Sequence, residues 1–348
     1  MSVLRIPADY DDAFSHMLGF GLASILEDAV EDRICRLWWS GRHTLMVETN
    51  DEITEMECAH IVRAHAERWH KSQWLNARGS YAGKGKTVAT LSPRIGTVAG
   101  REEWVALERD RRDAIDSLRT TLDERYIGAL GEPSYWSLNR TKATPEIQQK
   151  FGASLWEMTP RNSGNEFVTM RLLKLASIIT ARTAEKVHSG LFGLTNVDEL
   201  AGTEDSHTPT GLKVPSRTDN ARAWCALFGF SNCPVYRSVH YETSPTAGFI
   251  RHDSGGGPSW HVVLPLTEKS WTLAKYRSVI RSYALDYVGE NALHLDQDSL
   301  SDSTVALYAE LCRWLRDQGL RYCMLFQRHG TQAKSPEYWL LRGQLIRL

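Results

Sequence analysis

The amino-acid sequence predicts an α+β fold, with an N-terminal α+β domain that carries an inserted basic loop, a helical middle region and a smaller C-terminal α+β part. Segments with strand-like and helix-like periods alternate along the chain. Apolar residues make up 42% and charged residues 24%, a globular composition that predicts a packed core. Because 348 residues exceed what one core usually serves, two domains are expected.

The first 50 residues carry the clearest periods. Residues 2–7 have the composition of a short strand, and apolar residues from Phe14 to Leu26 then recur at helical spacing. Residues 36–47 have a β-type composition broken by Ser40 and Gly41, which is a hairpin signal. The chain therefore begins as strand, helix and hairpin.

Beyond this start, apolar periods predict further elements, the first of them capped by Asp51 or Thr54. The predicted elements are helices over 56–69, 102–125, 167–186, 221–230 and 304–316 and strands over 260–265 and 322–327. Residues 201–218 contain Pro, Gly and Thr without an apolar period, which is typical of a linker. We therefore predict an N-terminal domain over 1–200 and a C-terminal domain over 219–348.

The charges are strongly segregated, although the net charge is −1. Residues 1–67 hold 13 acidic and 5 basic side chains, whereas residues 68–101 hold 7 basic side chains and no acidic one. The stretch 73–100 is also rich in Gly and Ser and lacks helical periodicity, so we predict an irregular loop. Such a basic loop is typical of a nucleic-acid contact, the alternative being a solvated loop without a partner.

Individual residues of this loop are candidates for DNA binding. Arg78, Lys84, Lys86 and Arg94 have no acidic neighbours in sequence and would neutralise phosphates. Asn76 has the side-chain amide that reads a base edge. The string ending in Gly-Lys-Thr at 85–87 does not fit a nucleotide-binding loop, because that motif needs a glycine where this chain has a serine.

A second candidate contact lies in the segment 156–167, which joins a polar turn to a predicted helix. Arg161, Asn162 and Asn165 have hydrogen-bonding side chains suited to RNA or a partner subunit. The structural alternative is a helix N-cap formed by Asn162 or Ser163. Both roles are compatible with the same residues.

The sequence predicts no catalytic residues, no metal site and no cofactor. The six cysteines lack a C-x-x-C pair and are expected to be buried free thiols. His60, His65 and His70 spread around a helix, which predicts surface positions, and His252-Asp253-Ser254 sits in a glycine-rich turn. With no apolar stretch of membrane-spanning length and no signal-peptide pattern, a cytoplasmic protein is expected.

Three segments resemble the large subunit of type I CRISPR Cascade effector complexes, in the compact form of the type I-G (formerly I-U) lineage. The first comprises residues 13–28 after the first strand, residues 37–49 and the helix that runs to Trp69; the others are the apolar helix and Cys-Pro turn of 220–235 and the Trp-His-Val-Val-Leu-Pro-Leu strand of 260–266. The resemblance implies a non-enzymatic subunit that contacts the protospacer-adjacent motif in duplex DNA and aids strand opening. It also implies guide RNA, repeated backbone subunits and a separate nuclease-helicase as partners, and no membrane.

Two alternatives stay open at this point. One is a nucleic-acid-processing nuclease of a prokaryotic defence system, whose acids and histidines would come together only in the fold. The other is a structural scaffold of a ribonucleoprotein, in which the twelve tryptophans fill protein interfaces. Tryptophan serves cores, interfaces and base-stacking surfaces alike, so its abundance does not separate these possibilities.

Overall fold

The computed structural model confirms a mixed α+β fold. It describes residues 1–82, 86–92, 98, 100–131, 137–139, 146–148, 154–158, 166–201, 210–235, 246–254, 257–292, 301–331 and 337–348. Within these ranges, no helix has the length and apolar character needed to cross a membrane.

The α-helices of the described residues alternate with groups of strands. They are α1 (Ala13–Ala29), α2 (Glu55–His70), α3 (Gln73–Asn76), α4 (Arg101–Asp116), α5 (Thr121–Leu130), α6 (Leu173–Ala181), α7 (Ala184–Leu191), α8 (Asn220–Phe228), α9 (Leu273–Ile280), α10 (Tyr283–Ala292) and α11 (Asp302–Asp317). A π-helix (Glu166–Leu172) leads into α6, and short 3₁₀ turns cover Leu155–Glu157 and Gly229–Asn232.

The strands are short and pair antiparallel throughout. They are β1 (Ser2–Pro7), β2 (Cys35–Trp39), β3 (Thr44–Thr49), β4 (Arg78–Ala82), β5 (Lys86–Ala89), β6 (Ser137–Asn139), β7 (Glu146–Gln148), β8 (Phe249–Ser254), β9 (Gly257–Leu266), β10 (Trp271–Thr272), β11 (Tyr322–Gly330), β12 (Tyr338–Leu340) and β13 (Gln344–Arg347).

The first sheet combines the start of the chain with a piece of its second half. Its order is β1-β3-β2-β10, so the predicted hairpin of β2 and β3 is confirmed and β1 pairs with β3 from Ser2 opposite Thr49. Strand β10 closes the open side of β2, with Trp271 opposite Leu37. Helix α1 covers one face, where a Cβ on Gly19 would lie 2.6 Å from the side chain of Leu45.

The second sheet is formed by the last hundred residues. Its order is β12-β11-β9-β8, and β13 also pairs with β11. Helix α10 packs closely on one face, because Gly289 leaves room for the side chain of Val263. The predicted strands over 260–265 and 322–327 are confirmed as parts of β9 and β11.

Helices α1 and α8 cross at almost backbone-to-backbone distance in the centre of the molecule. A Cβ on Gly21 would lie 1.7 Å from the carbonyl oxygen of Cys225, so only glycine fits there. One cluster of buried side chains extends from Leu4 to Ile346 and thus includes residues on both sides of 201–218. The predicted linker also contributes to it through Leu212, and the division into two domains stays a prediction.

Helix α2 begins where the sequence indicates. The side chain of Thr54 accepts a hydrogen bond from the backbone N–H of Glu57 at 3.2 Å, and the Glu57 carboxylate accepts one from the backbone N–H of Thr54 at 2.8 Å. This reciprocal capping box satisfies two backbone donors that a helix otherwise leaves unpaired. Thr54, rather than Asp51, is therefore the N-cap.

Two predicted long helices are each divided in the structure. The prediction over 102–125 becomes α4 and α5, because Thr120 caps a new helix by accepting from the N–H of Asp123 at 3.2 Å. The prediction over 167–186 breaks at Arg182, whose guanidinium binds Glu199 and Asp219 at 2.6 and 2.7 Å. Thr183 then caps α7 by accepting a hydrogen bond from the N–H of Lys186 at 3.4 Å.

Buried aromatic side chains fill the space between α2, α5 and α8. We call this set the aromatic core: His65, Trp69, Trp74, Tyr126, Trp224 and Phe228. The ring centroids of Trp69 and Phe228 are 4.2 Å apart, and Tyr126 stacks on Phe228 at 4.6 Å.

His65 belongs to this core, so the prediction that it lies on the surface is wrong. Its Nδ1 accepts a hydrogen bond from the indole nitrogen of Trp224 at 3.2 Å. Burial, with a smaller effect of Arg68, lowers the pKa of His65 well below its usual value, which keeps the ring neutral. The prediction for the cysteines is confirmed, since all six are free and buried.

Candidate nucleic-acid interface

The predicted irregular loop contains regular structure, which corrects that prediction. Ser72 caps the single turn of α3, and β4 pairs with β5, with Arg78 opposite Ala89 and Gly79 opposite Val88. The sequence does not reveal this hairpin because its buried side chains are few and widely spaced. They form a small core separate from the main one, made of Tyr81, Val88, Val98 and Leu107.

Helix α4 supports the hairpin from one side. The hydroxyl of Tyr81 donates a hydrogen bond to the Asp110 carboxylate at 2.7 Å and lies 3.0 Å from the hydroxyl of Thr90. Burial, together with the charge of Asp110, raises the pKa of Tyr81 to about 12, so the phenol stays protonated as a donor. The hairpin is thus attached to an acidic helix at one end of the basic segment.

Two arginines of the basic segment differ sharply in their surroundings. Arg68 lies 2.6 Å from the carboxylate of Asp28 and 3.8 Å from that of Asp123, so its charge is balanced by residues distant in sequence. Arg78, on β4, is not fully buried and forms no ion pair with any described residue. Of these two, Arg78 is the arginine whose charge is not balanced by a described carboxylate, as a phosphate contact requires.

Asn76 has a structural task in the last turn before the hairpin. Its amide nitrogen donates to the carbonyl oxygens of His70 at 3.0 Å and Ser72 at 2.8 Å, which ties the end of α2 to α3. Reading an adenine edge requires an amide N–H donor, and both N–H groups of the Asn76 side-chain amide already have acceptors. Asn76 would have to break one of these bonds to read a base.

The other predicted site residues are not brought together by the described part of the chain. Lys84 and Arg94 lie outside the described residues, as do Arg161, Asn162 and Asn165. Lys86 belongs to β5, where its backbone is opposite Ala82, but its side chain is outside the described part.

The second sheet carries a set of side chains that sequence reasoning missed. Arg251 on β8 is opposite Trp260 on β9, and Arg328 on β11 lies beside Trp260 from the other side. The guanidinium carbon of Arg328 is 5.7 Å from the ring centroid of Trp260 and 4.3 Å from that of Tyr338 on β12. We call Arg251, Trp260, Arg328 and Tyr338 the arginine–aromatic row.

The row combines planar rings with planar cations on four adjacent strands. Arg251 is exposed, and the other three side chains are partly exposed. Strands lie about 4.8 Å apart, so the row forms a nearly continuous strip across the sheet. A guanidinium stacked on an aromatic ring still directs N–H groups outward in its plane, where they suit phosphate oxygens.

The opposite face of the same strands carries histidine rings. The ring of His329 lies 4.9 Å from that of Trp339, and the rings of His252 and His261 are 5.8 Å apart. Burial, and secondarily His252, lowers the pKa of His261 to about 4, so its ring is neutral at physiological pH.

No local motif in the sequence indicates the row. Its members come from four strands, and only the register of the sheet places them side by side. Within the described ranges, His, Cys, Asp and Glu side chains form no group of three able to hold a metal ion.

Searches of protein-family models, of curated proteins and of solved structures give no match for this chain.

Proposed function

We propose that this chain is the non-catalytic large subunit of an RNA-guided CRISPR surveillance complex, which contacts the protospacer-adjacent motif in duplex DNA and supports strand opening. Its partners in this proposal are guide RNA, target DNA, repeated backbone subunits and a separate nuclease-helicase. In such complexes base pairing with the guide reads most of the sequence, and the protein contributes backbone and short-motif contacts.

The arginine–aromatic row is the observation that carries the proposal. Partly exposed aromatic rings next to arginines suit single-stranded nucleic acid, since every base has a π-face that can stack and every linkage has a phosphate. Arg328, between Trp260 and Tyr338, supplies charge at the centre of the strip.

The β4–β5 hairpin supports the duplex part of the proposal. Arg78 lies on it without an acidic partner among the described residues, and the sequence adds Lys84 and Lys86 close by. A basic hairpin attached to a helix suits the groove or backbone of a duplex. The row would then hold a strand after the duplex opens.

The test uses the complex rather than the isolated chain. We would co-express the chain with its genomic neighbours, purify it by a tag, and measure binding of matching duplex DNA by mobility shift at several salt concentrations. We expect guide RNA and repeated backbone subunits to co-purify, and DNA binding to depend on the adjacent motif. Isolation of a chain without RNA that ignores DNA would refute the proposal.

Two sets of variants separate the row from the hairpin. Trp260→Ala and Arg328→Ala should weaken binding of a single-stranded oligonucleotide about tenfold, because one stacked base is worth about 1–3 kcal/mol. Trp314→Ala and Arg313→Ala, exposed on α11, are the matched controls and should leave it unchanged.

In the hairpin, Arg78→Ala combined with Lys84→Ala and Lys86→Ala should lower duplex affinity. The slope of log affinity against log salt concentration should also fall by about one unit for each phosphate that the variant no longer neutralises. If this triple variant bound duplex DNA with the same affinity and the same salt slope as the native chain, the hairpin would not be a DNA contact. The variants of the row test the other part of the interface separately.

A further inference from the structure

A polar cleft of about 400 Å³ lies between the start of the chain and the segment that leads into α8. Its walls include Asp12 and Phe14 from the beginning of α1 and Lys213, Arg217 and Arg222 from residues 210–222. The volume falls within the range of pockets that bind small molecules. The cleft is distant in sequence from both parts of the proposed nucleic-acid interface.

Three cations face this cleft with few internal partners. The ammonium of Lys213 lies 5.3 Å from the ring centroid of Phe14 and donates to the carbonyl oxygen of Arg217 at 3.4 Å. Arg222 donates through its terminal nitrogen to the carbonyl oxygen of Pro7, and its Nε is buried without a hydrogen-bond partner among the described residues. Arg217 is exposed at the rim.

Most carboxylates around the cleft are already engaged elsewhere. Asp219 accepts hydrogen bonds from Arg182 at 2.7 Å and from the backbone N–H groups of Val197 and Ala221 at 3.0 and 2.9 Å. Asp9 is paired with His43 at 2.6 Å and Arg342 at 3.2 Å. Asp12 faces both Lys213 and Arg222, while the charge of Asp198 also acts on Lys213 and those of Asp219 and Asp9 on Arg222.

The first turn of α1 adds to the positive character of the cleft. Asp12 is the N-cap residue of this 17-residue helix, and its carboxylate lies close enough to the backbone N–H of Phe14 for that group to lower its pKa. The backbone N–H groups at a helix start carry partial positive charge, which favours anions nearby. The cleft thus joins a helix start to three cationic side chains.

We propose that this cleft binds a small phosphate-bearing ligand, whose charge is met by Lys213, Arg217 and Arg222. The site is independent of nucleic-acid binding by the row and the hairpin. Phosphate suits it better than a carboxylate, because a phosphate presents three oxygens to donors that converge from two segments. The remaining volume accommodates the organic part of a monoester.

Asp12 gives this site a characteristic response to pH. Burial raises the pKa of Asp12 to about 6. Lys213, Arg342 and the backbone of Phe14 lower this pKa, whereas the charge of Asp11 raises it. Arg222 also faces the Asp12 carboxylate. A bound dianion adds negative charge beside Asp12 and favours its protonated form further. Binding therefore takes up a proton and strengthens as the pH falls through 6.

The experiment titrates the full-length chain by calorimetry with inorganic phosphate, adenosine monophosphate and sulfate. Sulfate keeps its charge between pH 5 and 8, so its pH dependence reports on the protein alone. We expect saturable binding, weakened at least tenfold in Lys213→Met and unchanged in Lys269→Met, an exposed lysine on the turn between β9 and β10. Tighter binding of adenosine monophosphate than of phosphate would identify a monoester rather than the free ion.

Asp12→Asn provides the decisive comparison. With the carboxylate removed, sulfate should bind more tightly than to the native chain at pH 7.5, and its affinity should rise less between pH 7.5 and pH 5 than that of the native chain, since His43 also lines the cleft. No saturable heat in the native chain, equal weakening in Lys213→Met and Lys269→Met, or weaker binding in Asp12→Asn would overturn the proposal. Circular dichroism of each variant shows whether it is folded, and none of these outcomes depends on nucleic-acid binding.

Discussion

The aromatic core and the arginine–aromatic row use the same kinds of side chain in opposite surroundings. In the core, Trp69 and Trp224 are fully buried and surrounded by other rings. In the row, Trp260 and Tyr338 are partly exposed, and their neighbour is the guanidinium of Arg328. The neighbours of an aromatic residue, rather than its presence, therefore separate a structural role from a candidate binding role.

The difference follows from the elements that carry the two sets. The core lies between helices that are covered on several sides, so each ring gains by excluding water. The row lies across strands of a sheet near its end, where side chains of one face project outward. Substitutions in the first region should cost stability, and substitutions in the second should cost binding.

The largest expected effect on stability is that of the Trp69→Ala substitution. Removing this buried indole from its packing against Trp74, Phe228 and Tyr126 should lower the free energy of unfolding by about 3–5 kcal/mol, measured by urea denaturation. Trp69→Phe is the matched control and should cost much less, since the indole N–H of Trp69 has no hydrogen-bond partner among the described residues. A decrease below about 1 kcal/mol in Trp69→Ala would contradict the structural role of the core.

The next effect concerns pH and the buried ring of His16. Its Nε2 lies 2.7 Å from the carbonyl oxygen of Tyr10, and it packs against Trp39 and Phe326. Burial lowers the pKa of His16 to about 4, whereas the unfolded chain titrates near 6.5. The unfolded state therefore binds more protons between these values, and the native chain should lose about 3 kcal/mol of this contribution as the pH falls from about 6.5 to about 4.

The measurement for His16 must be a difference between variants. Burial also raises the pKa values of Asp12 and Asp286, to about 6 and about 7, and these groups stabilise the folded chain as the pH falls. Asp12 and Asp286 are present in both chains, so their contributions cancel when the native chain is compared with His16→Gln. The stability advantage of the native chain over this variant should shrink steadily below about pH 6.5. The control variant is His60→Gln, which changes an exposed histidine. If the stability of His16→Gln varied with pH in parallel with that of the native chain, His16 would not be the source of the pH dependence.

A third, smaller effect is expected at the crossing of α1 and α8. Gly21→Ala would place a Cβ 1.7 Å from the carbonyl oxygen of Cys225, so the helices must separate, at a cost of about 2 kcal/mol or more in unfolding free energy. Gly128→Ala in α5 meets no atom within 4 Å and should instead stabilise by about 0.5–1 kcal/mol. A Gly21→Ala variant as stable as the native chain would show that the crossing is not as close as described.

The smallest effect on stability is expected in the row itself. Trp260→Ala should lower the free energy of unfolding by about 1 kcal/mol, less than Trp69→Ala, because only part of the ring packs against the main core and the rest is exposed beside Arg328. The same denaturation experiment that measures Trp69→Ala measures it. A decrease as large as that of Trp69→Ala would make Trp260 a core residue and exclude the binding role.

The sequence predicts well those secondary-structure elements that are determined by interactions between residues close together in the chain. The β2–β3 hairpin follows from Ser40 and Gly41, the start of α2 from Thr54, and α1 from its apolar spacing; all three are present. In each case the hydrogen bonds or packing positions that define the element lie within a few residues of one another. Local pattern then contains the whole physical cause.

Predictions fail where the cause is distant in sequence. His65 is buried because α8 packs over the face of α2 that carries it, and the sequence of α2 alone does not indicate this contact. The row and the cleft are assembled by sheet register and by the meeting of residues 7–15 with 210–222. Neither arrangement leaves a pattern that a single segment could display.

The joining of the two halves of the chain has a practical consequence. Helix α8 lies against α1, β10 completes the edge of β2, and Arg342 binds the carboxylates of Asp9 and Asp11. A polypeptide ending near residue 201 and another starting near residue 210 would each display an uncovered apolar face and should reassociate when mixed. The chain thus offers a natural division for split-protein complementation, in which recovery of the fold reports that two fused partners have met.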